Sequence, residues 1–458
     1  MTKSQFNFTW DEEIYQSHNF QTVLFTGFDH SKLSPMCVII SSFIDTMDLS
    51  FFKQYHKSNK LTGGRPPYDY KILLKIYLYS LYYNISIRKL NNFYSLGSEL
   101  HYLCQEFSNL PERTTLSDFL KILDSHIDDI FDLSIKYICE QIDLDLSNLY
   151  CDGTVFEAHN NRHKIITDTN IARSNKKWTN ILNDSNSSED LKSKASKKLA
   201  LNKERTLILN ELKRTSYGRT DNDSVLLKDK DGSYVAGYNV QFVEEGKYGL
   251  IVYTHISNKN PDSIVFLDMV APLIEKYRPK SLTMDAGYGT PNILKILDKS
   301  HVIMIVKALK NENATEKITD YSFELSENND CLICPAGQFL EQVETKVEDK
   351  VAFKAQNCQL CDIKKKCLDK SKNKRVTINI EEFKVLKLAN KTVNSPEGKE
   401  AYSHRGNKCE SPHGFIIYNL GGKKLKMDGL TRNNTIIKLY ACLYNLRRLI
   451  SIKSASKK

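Results

Sequence analysis

Three carboxylates in different local settings are the side chains of this chain best suited to chemistry. Asp152 lies inside an apolar run typical of a β-strand, Asp285 ends another such run, and Glu410 follows Arg405 just before a long helical pattern. Two acids on strands and one on a helix are what a pair of Mg²⁺ (or Mn²⁺) ions needs for attack on a phosphodiester, because hard divalent cations take oxygen ligands. The three acids therefore favour a metal-dependent phosphoryl-transfer site.

Each acid also has a simpler interpretation. Many strands end in Asp because its side chain satisfies turn amides, and Arg405 could neutralise Glu410 in a surface ion pair. Asp152, however, lies in mid-strand, where a carboxylate is costly unless it is paired or metal-bound. Gly153 and Gly287, next to the aspartates, leave room for an approaching backbone or phosphate. This context favours the functional interpretation of the aspartate pair.

A second cluster of chemically active side chains consists of cysteines. It comprises Cys331, Cys334, Cys358, Cys361 and Cys367. Two Cys-x2-Cys pairs predict a structural Zn²⁺ site, because one turn presents two thiolates to a tetrahedral ion. Five cysteines are available for four coordination positions. The alternatives to a zinc site are reduced thiols without metal and an iron–sulfur cluster. Four thiolates would leave no open coordination position, so no catalytic role is predicted here.

The composition indicates a globular protein with a basic surplus. The 458 residues include 65 Lys and Arg against 55 acids, a formal net charge of +10, which favours a polyanionic partner. The N-terminus lacks a signal-peptide pattern, and the best apolar stretch, Ile72 to Tyr83, is too short to span a bilayer. Eleven cysteines without an export signal indicate reduced thiols or metal. We therefore expect a soluble cytoplasmic protein with no membrane association.

Several other catalytic classes lack their sequence motifs. There is no Gly-Lys-Ser/Thr phosphate loop, no Gly-x-Gly-x-x-Gly after a strand and no Gly-x-Ser-x-Gly elbow. His159 and His163 follow the Asp152 strand, where a lone histidine is more often structural than catalytic. The acids remain the best candidates.

Hydrophobic periodicity predicts helices between about residues 66 and 147 and strands from Leu149 onward. Ser86 and Ser117 are predicted to cap the second and third helices. The predicted strands cover residues 150–156, 234–243, 248–256, 281–285 and 302–306. Glu244-Glu245-Gly246-Lys247 is the predicted turn of an antiparallel hairpin. Further helices are predicted at about 263–275, after Pro291 and from Leu430 to Ile452, which gives a mixed α/β sheet covered by helices.

A polar insert over residues 160–222 separates the first two strands. From Arg162 to Arg214 it holds 13 Lys or Arg and 6 acids. It is predicted to be a partly helical arm, and the alternative is a flexible basic segment for a phosphate backbone.

Eight longer motifs are spread along the chain. They are Gly64-Arg-Pro-Pro-Tyr-Asp-Tyr70, Ser86-Ile-Arg-Lys-Leu90, Pro111-Glu-Arg-Thr-Thr-Leu-Ser-Asp-Phe119, Asp152-Gly-Thr-Val-Phe-Glu-Ala158, Gly237-Tyr-Asn-Val-Gln241, Asp285-Ala-Gly-Tyr-Gly289, Tyr402-x2-Arg405-x4-Glu410 and Tyr444-Asn-Leu446. Together they resemble bacterial insertion-sequence transposases of the DDE class, specifically the branch numbered eleven-eighty-two. The likeness runs over nearly the whole chain.

The resemblance implies a ribonuclease-H-like catalytic domain in which Asp152, Asp285 and Glu410 converge on two Mg²⁺ ions. Asp152 would bridge both ions, Asp285 would hold one and Glu410 the other. The implied activity is cleavage at the transposon ends and attack of the freed 3′-OH on target DNA. Tyr402 and Arg405 would contact phosphates or position Glu410.

The resemblance also implies a domain division. An N-terminal helical, DNA-binding domain would cover residues 1–147. The catalytic domain would cover 148–310 and 385–458, and a cysteine-rich zinc-knuckle insertion 311–384. Cys334-Pro-Ala-Gly337 resembles the start of the family's cysteine insert, which selects four metal ligands and leaves Cys331 over. The selected ligands are Cys334, Cys358, Cys361 and Cys367.

One departure from the family bears on activity. Family members carry a phrase like Phe-Gly-x-Ile-Lys, whose Lys contacts DNA phosphates. Here His413 replaces the Phe and Ile417 replaces the Lys, so Lys423 or Lys424 would have to substitute. Two alternatives therefore stay open: a metal-dependent nuclease of the same fold without transposition, and an inactive DNA-binding remnant.

The implied partners are double-stranded DNA, as terminal inverted repeats and target, and a second copy of the chain in a homodimer on DNA. The implied location is the bacterial cytoplasm, in association with the nucleoid.

Overall fold

The structure, a computed structural model, describes residues 32–55, 68–95, 97–104, 110–229, 232–308, 318–368 and 371–456. The start of the first family motif, 64–67, lies outside the described residues. The part of the chain described before the first strand is helical, which the periodicity predicts only from about residue 66 onward. Its α-helices are α1 (Pro35–Thr46), α2 (Tyr70–Tyr82), α3 (Glu99–Leu103), α4 (Arg113–Leu123) and α5 (Ile127–Cys139).

Ser86 occupies the predicted N-cap position, whereas the predicted cap at Ser117 is wrong. Ser86 precedes a 3₁₀ helix, Ile87–Phe93, and its hydroxyl makes no cap bond. Ser117 lies inside α4, which starts earlier because its buried stripe already begins at Leu116. The predicted third helix is in fact two helices, α4 and α5, separated by a break after Leu123.

The α/β part begins with β1 (Asn148–Glu157), and a helical arm follows it. The arm consists of β2 (Ile165–Thr167), α6 (Asp168–Asn183), α7 (Glu189–Leu212) and β3 (Ser216–Gly218). Strands β2 and β3 pair antiparallel at its base. Asn202 of α7 donates hydrogen bonds to Ser174 and Asn175 of α6, at 2.9 and 2.8 Å. The prediction of a partly helical arm is confirmed.

The main sheet contains β1 and five later strands. They are β4 (Val225–Lys228), β5 (Tyr234–Glu245), β6 (Ile251–Ser257), β7 (Ser281–Met284) and β8 (Ile303–Ile305), with helices α8 (Asp262–Tyr277) and α9 (Pro291–Lys299) between them. The strand order is β4-β5-β1-β7-β8, with β6 also paired to β5. Strand β1 is antiparallel to β5 and parallel to β7. The predicted mixed α/β sheet is thereby confirmed.

The hairpin between β5 and β6 is antiparallel, as predicted, but its turn lies further along the chain. Glu244 and Glu245 belong to β5 and are fully buried. The Glu245 carboxylate accepts bonds from the amides of Lys247, Tyr248 and Leu250. The acid predicted to lie in the turn therefore stabilises the turn from the end of the strand.

A second sheet is formed by the segment that carries the cysteines. Its strands follow the order β13-β12-β11-β10-β9. They are β9 (Glu324–Leu325), β10 (Cys331–Ile333), β11 (Phe339–Val343), β12 (Val351–Ala355) and β13 (Arg375–Ile378), with the short helix α10 (Lys364–Cys367) before the last strand. This sheet has its own small hydrophobic core around Phe323 and Phe353.

Three helices complete the chain. They are α11 (Ile380–Asn394), α12 (Pro396–Gly414) and α13 (Leu430–Ser456). The buried face of α13 belongs to one hydrophobic core that also includes α1 to α5 and the main sheet. Within the residues described, no helix has both the length and the apolar character needed to cross a membrane.

Asn445 of α13 forms hydrogen bonds with the backbone of β6 at the edge of the main sheet. Its Oδ1 accepts from Ile251 N at 2.9 Å, and its Nδ2 donates to Ile251 O at 2.7 Å. Tyr444 donates to Gly249 O at 3.1 Å. An edge strand that enters a core needs partners for its backbone groups, and this side-chain amide supplies them.

We expect Asn445→Ala to lower the free energy of unfolding by about 3 kcal/mol, because two buried backbone groups lose their partners. Urea denaturation monitored by circular dichroism measures the change. Asn180→Ala, on the exposed surface of α6, is the control and should change stability by less than about 0.5 kcal/mol. Equal effects of the two substitutions would contradict this role of Asn445.

Candidate active site

Strand register brings Asp152 and Asp285 side by side. Cys151 and Met284 form the last recorded pair of the parallel β1–β7 ladder. One further step along both strands reaches Asp152 and Asp285, and neighbouring parallel strands lie about 4.8 Å apart. Asp152 is 9% exposed and in mid-strand, as predicted. The fold thus places two carboxylates together at the centre of the sheet.

Arg405 of α12 joins these two acids. Its Nη1 lies 3.7 Å from Asp152 Oδ2, and its Nη2 lies 3.7 Å from Asp285 Oδ1. Burial by itself lowers the pKa of the Arg405 guanidinium, but Asp285 and Asp152 outweigh burial and raise the pKa above its ordinary value. Arg405 therefore pairs with the aspartates, and the interpretation of Arg405 and Glu410 as a surface ion pair is wrong.

Glu410 lies on α12, a little more than one turn beyond Arg405. Its side chain is exposed, and its Oε1 lies 3.8 Å from the position that a Cβ on Gly406 would take. The carboxylate thus folds back along its own helix. Within the described part of the chain, no three His, Cys, Asp or Glu side chains are close enough together to hold a metal ion. Convergence of the three acids stays a prediction.

Tyr402 places a second cation beside the aspartate pair. Lys307 Nζ lies 4.5 Å from the centre of the Tyr402 ring, and Arg405 lies over the same ring at 5.8 Å. Burial and the nearby Asp285 raise the pKa of Tyr402. Lys307 was missed from the sequence. Its position just after β8, the strand next to the Asp285 strand, is the signal that could have found it.

Lys423 and Lys424 extend the edge of β1 beyond the aspartates. Glu157 N donates to Lys423 O at 3.0 Å, and Leu425 N donates to Glu157 O at 2.8 Å. Both lysine side chains are exposed. Glu157 lies five residues after Asp152, which corresponds to roughly 16 Å along a strand. The two lysines therefore flank the aspartate pair without entering it.

The two positions that depart from the family pattern are packing positions. His413 is 4% exposed, and its ring lies 5.2 Å from that of Phe242. Ile417 is partly buried against the main core, in a π-helical turn at Phe415–Asn419. His413 thus fills an aromatic site in the core, while Ile417 presents no charge to a DNA phosphate.

Glu244 is a buried acid that the sequence analysis assigned to a turn. It pairs with Tyr150 across the β1–β5 ladder, so it shares the sheet face of Asp152. The Cys409 thiol contacts its carboxyl, but neither oxygen reaches regular hydrogen-bond geometry. Burial, with a smaller contribution from Asp152, raises the pKa of Glu244 well above its ordinary value. Burial beneath α12 thus favours the neutral form of the Glu244 carboxyl.

Four of the five clustered cysteines line one cavity of about 20 Å³ in the second sheet. They are Cys334, Cys358, Cys361 and Cys367. The Cys334 thiol accepts from Gln338 N at 3.3 Å, and the Cys358 thiol accepts from Lys374 N at 3.4 Å. Cys331 lies outside this cavity. The four thiols share a small space that would suit one ion, although no three of them are close enough to ligate it as they stand.

Comparison with known proteins gives two matches to families. A family described as a transposase DDE domain matches residues 333–450, which include Arg405 and Glu410. A family described as a transposase domain (DUF772) matches residues 28–121, a range that includes α1, α2 and α3. No curated protein and no solved structure matches the chain.

The mixed α/β sheet and the aspartate pair agree with these two matches, which together cover less than half of the chain. The matches indicate an insertion-sequence transposase of the DDE class. Neither match reaches β1 or β7, so the assignment of Asp152 and Asp285 depends on their geometry and motifs.

We expect Glu244→Gln to become more stable relative to the unchanged chain as the pH rises. A carboxyl whose pKa is raised on folding stabilises the fold fully below its unfolded pKa of about 4.5, and this contribution is lost as the pH rises through the folded pKa. Glutamine cannot ionise, so the difference in unfolding free energy should grow by at most about 1.4 kcal/mol per pH unit. Urea denaturation between about pH 5 and 8 measures it.

Glu400→Gln, an exposed acid on α12, is the matched control for the charge change. Its stability difference should stay constant with pH. Parallel pH curves for Glu244→Gln and the unchanged chain would show that Glu244 is ionised in the fold.

Proposed function

We propose that this chain catalyses Mg²⁺-dependent cleavage at the ends of an insertion sequence and strand transfer into target DNA. Asp152, Asp285 and Glu410 are the catalytic residues of this proposal, on a ribonuclease-H-like sheet. The observation that carries it is the guanidinium of Arg405, placed between Asp152 and Asp285. A site that holds one cation between two carboxylates has the charge and the oxygen donors that Mg²⁺ prefers.

The residues present fit a divalent ion in part. Asp152 and Asp285 supply a buried and a half-exposed carboxylate on adjacent strands, and Glu410 supplies a third on the helix that crosses them. When bound, Mg²⁺ or Mn²⁺ would activate a water for attack on the phosphodiester and stabilise the leaving 3′ oxygen. Glu410 must turn away from Gly406 to join the two aspartates.

Basic and aromatic side chains around the acids would hold the DNA backbone. Arg405, once released from the aspartates, can form paired hydrogen bonds to a phosphate. Tyr402 and Lys307 lie next to it, and Lys423 and Lys424 line the flank of β1. These lysines provide the positive charge that Ile417 lacks. Phosphate contacts of this kind position DNA without reading its sequence.

We extend the proposal to the rest of the chain. The helices over residues 1–147 would contact DNA, residues 148–310 and 385–458 would form the catalytic domain, and residues 311–384 would be a zinc-binding insertion. The motif order favours the branch numbered eleven-eighty-two. Paired transposon ends would require a homodimer, and the substrate would place the enzyme on nucleoid DNA in the bacterial cytoplasm.

We expect Asp152→Asn, Asp285→Asn and Glu410→Gln each to reduce cleavage of transposon-end DNA at least about a hundredfold, because each removes one charged oxygen donor. Labelled end DNA incubated with Mg²⁺ or Mn²⁺ and resolved on gels measures the rate. Glu400→Gln, an equal charge change on α12, should retain activity. Activity of Asp152→Asn equal to that of the unchanged chain would overturn the proposed site.

A pre-cleaved end separates the remaining alternatives. Joining of its 3′-OH to a plasmid supports transposition, whereas hydrolysis without joining indicates a nuclease. DNA binding without cleavage in any metal would indicate an inactive remnant, in agreement with the missing lysine at Ile417.

We also expect about one Zn²⁺ per purified chain, bound by the four cysteines that line the common cavity. Cys334→Ser and Cys358→Ser should each lose the metal, as measured by mass spectrometry of the protein's metal content. Cys331→Ser is the control, because Cys331 belongs to the same segment but lies outside the cavity. Loss of zinc from Cys331→Ser alone would assign the site to a different quartet.

A further inference from the structure

Gln241 is a fully buried amide on the sheet face opposite Asp152. Its Oε1 accepts a hydrogen bond from the Tyr288 hydroxyl and lies 4.0 Å from the Cys151 thiol. Its Nε2 donates to Asn239 Oδ1 at 2.7 Å and to Asp262 Oδ1 at 3.2 Å. Every donor and acceptor of this amide is therefore engaged, and its orientation is fixed.

The partners of Gln241 come from each element that carries or supports the aspartate pair. Cys151 precedes Asp152 in β1. Tyr288 ends the 3₁₀ turn Ala286–Tyr288, which has Asp285 as its N-cap residue, and the Tyr288 ring packs edge-on against Phe266 of α8 at 5.5 Å. Asp262, at the start of α8, also accepts from Asn239 Nδ2 at 2.5 Å. One side chain thus connects β1, β5, α8 and the Asp285 turn.

Gly153 shows how closely this network approaches Asp152. A Cβ at Gly153 would collide with Gln241 Nε2 and would lie 2.9 Å from Asp262 Oδ1. The space beside Gly153 is thus filled by the buried amide, and the expectation that it leaves room for a phosphate is wrong. Gly287, in contrast, has open space around its Cβ position. The residue after Asp152 must be glycine because the network lies directly beneath it.

We propose that Gln241 and Tyr288 are positioning residues that fix the distance between the Asp152 and Asp285 carboxylates. Asp285 lies just past the end of its strand, where the β1–β7 ladder no longer holds it. The Tyr288 side chain, anchored on Gln241, restrains the turn that carries it. This inference rests on the proposed function of the pair, because a fixed spacing matters for oxygen ligands that share a cation.

Mn²⁺ binding tests the inference without requiring activity. The full chain is titrated with Mn²⁺, and free Mn²⁺ is followed by electron paramagnetic resonance. Tyr288→Phe removes one hydroxyl, and Gln241→Met removes the amide at similar size. We expect each to weaken Mn²⁺ binding about tenfold or more, the range found when groups that orient metal ligands are removed.

Tyr238→Phe is the matched control. Tyr238 lies in β5 and, like Tyr288, is fully buried. Its hydroxyl donates to Asp221 Oδ2 at 2.6 Å, away from the Gln241 network. It should lose comparable thermal stability and keep Mn²⁺ affinity within about twofold. Equal weakening by Tyr238→Phe and Tyr288→Phe would reduce the network to a general structural role and overturn the proposal.

Asp285→Asn distinguishes failure of the positioning proposal from failure of the proposed function. If Asp285→Asn loses Mn²⁺ binding while Tyr288→Phe and Gln241→Met bind like the unchanged chain, the positioning proposal fails and the proposed function stands. If Asp285→Asn itself binds Mn²⁺ like the unchanged chain, the proposed function fails. Circular dichroism checks that each variant is folded, and Tyr288→Phe alone decides if Gln241→Met does not fold.

Discussion

Two like-charged carboxylates held side by side in the middle of a largely buried sheet are the constraint on which this structure depends. Two unit charges about 4 Å apart interact by roughly 4 kcal/mol at an effective dielectric constant near 20. Asp152 and Asp285 lie next to each other in the parallel register, so the repulsion between two carboxylates favours a positive partner. Arg405 supplies that partner with one guanidinium shared between them. A divalent ion would replace this charge, and Arg405 would then be free for a phosphate.

The same constraint explains the position of α12. The helix must cross the strands so that Arg405 reaches both acids, yet its sequence has little hydrophobic periodicity. Its buried residues are Gly398, Cys409, Pro412 and His413. Gly398 allows the start of the helix to lie against the backbone of Thr392, where a Cβ would collide. Close backbone approach and specific polar contacts therefore place α12.

This explains where prediction from the sequence succeeded and where it failed. Strands β1, β5 and β7 and helix α13 carry strong apolar patterns, and they were predicted to within a few residues. Glu410 was expected on a helix, but the bounds of α12, Pro396–Gly414, could not be predicted, because hydrophobic periodicity is the main signal and α12 lacks it. Glu244 was placed in a turn because consecutive acids before a glycine resemble one.

Prediction of the candidate site likewise succeeded where a local pattern marks a residue and failed where only the fold brings residues together. Asp152 and Asp285 were found because an acid inside or at the end of an apolar strand violates the pattern around it. Their joint partner could not be found, because Arg405 is more than a hundred residues away in the sequence and has other acids, Glu400 and Glu410, five residues away on either side. Lys307 was missed for a related reason: only strand order places β8 next to β7, and a single sequence does not give strand order.

The centre of the sheet also departs from the composition that its burial would predict. Strands covered on both faces are usually continuous apolar runs, but β1 and β5 contain six buried polar residues: Asp152, Thr154, Asn239, Gln241, Glu244 and Glu245. These residues divide between the faces by the two-residue period of the strands. Asp152, Thr154 and Glu244 face α12, whereas Asn239 and Gln241 face α8.

This division gives the two faces different tasks. The face toward α12 holds the charge of Asp152, which is paired with Arg405, and the face toward α8 holds the neutral amides of Asn239 and Gln241, which bond to each other and to Asp262. Local violations of the rules of stable packing are expected at functional sites, where other interactions must compensate for them. Here the hydrogen-bonded amides of Asn239 and Gln241 lie on the opposite face of the sheet from Asp152. These stabilising bonds are therefore only one strand residue away from the buried carboxylate whose cost they offset.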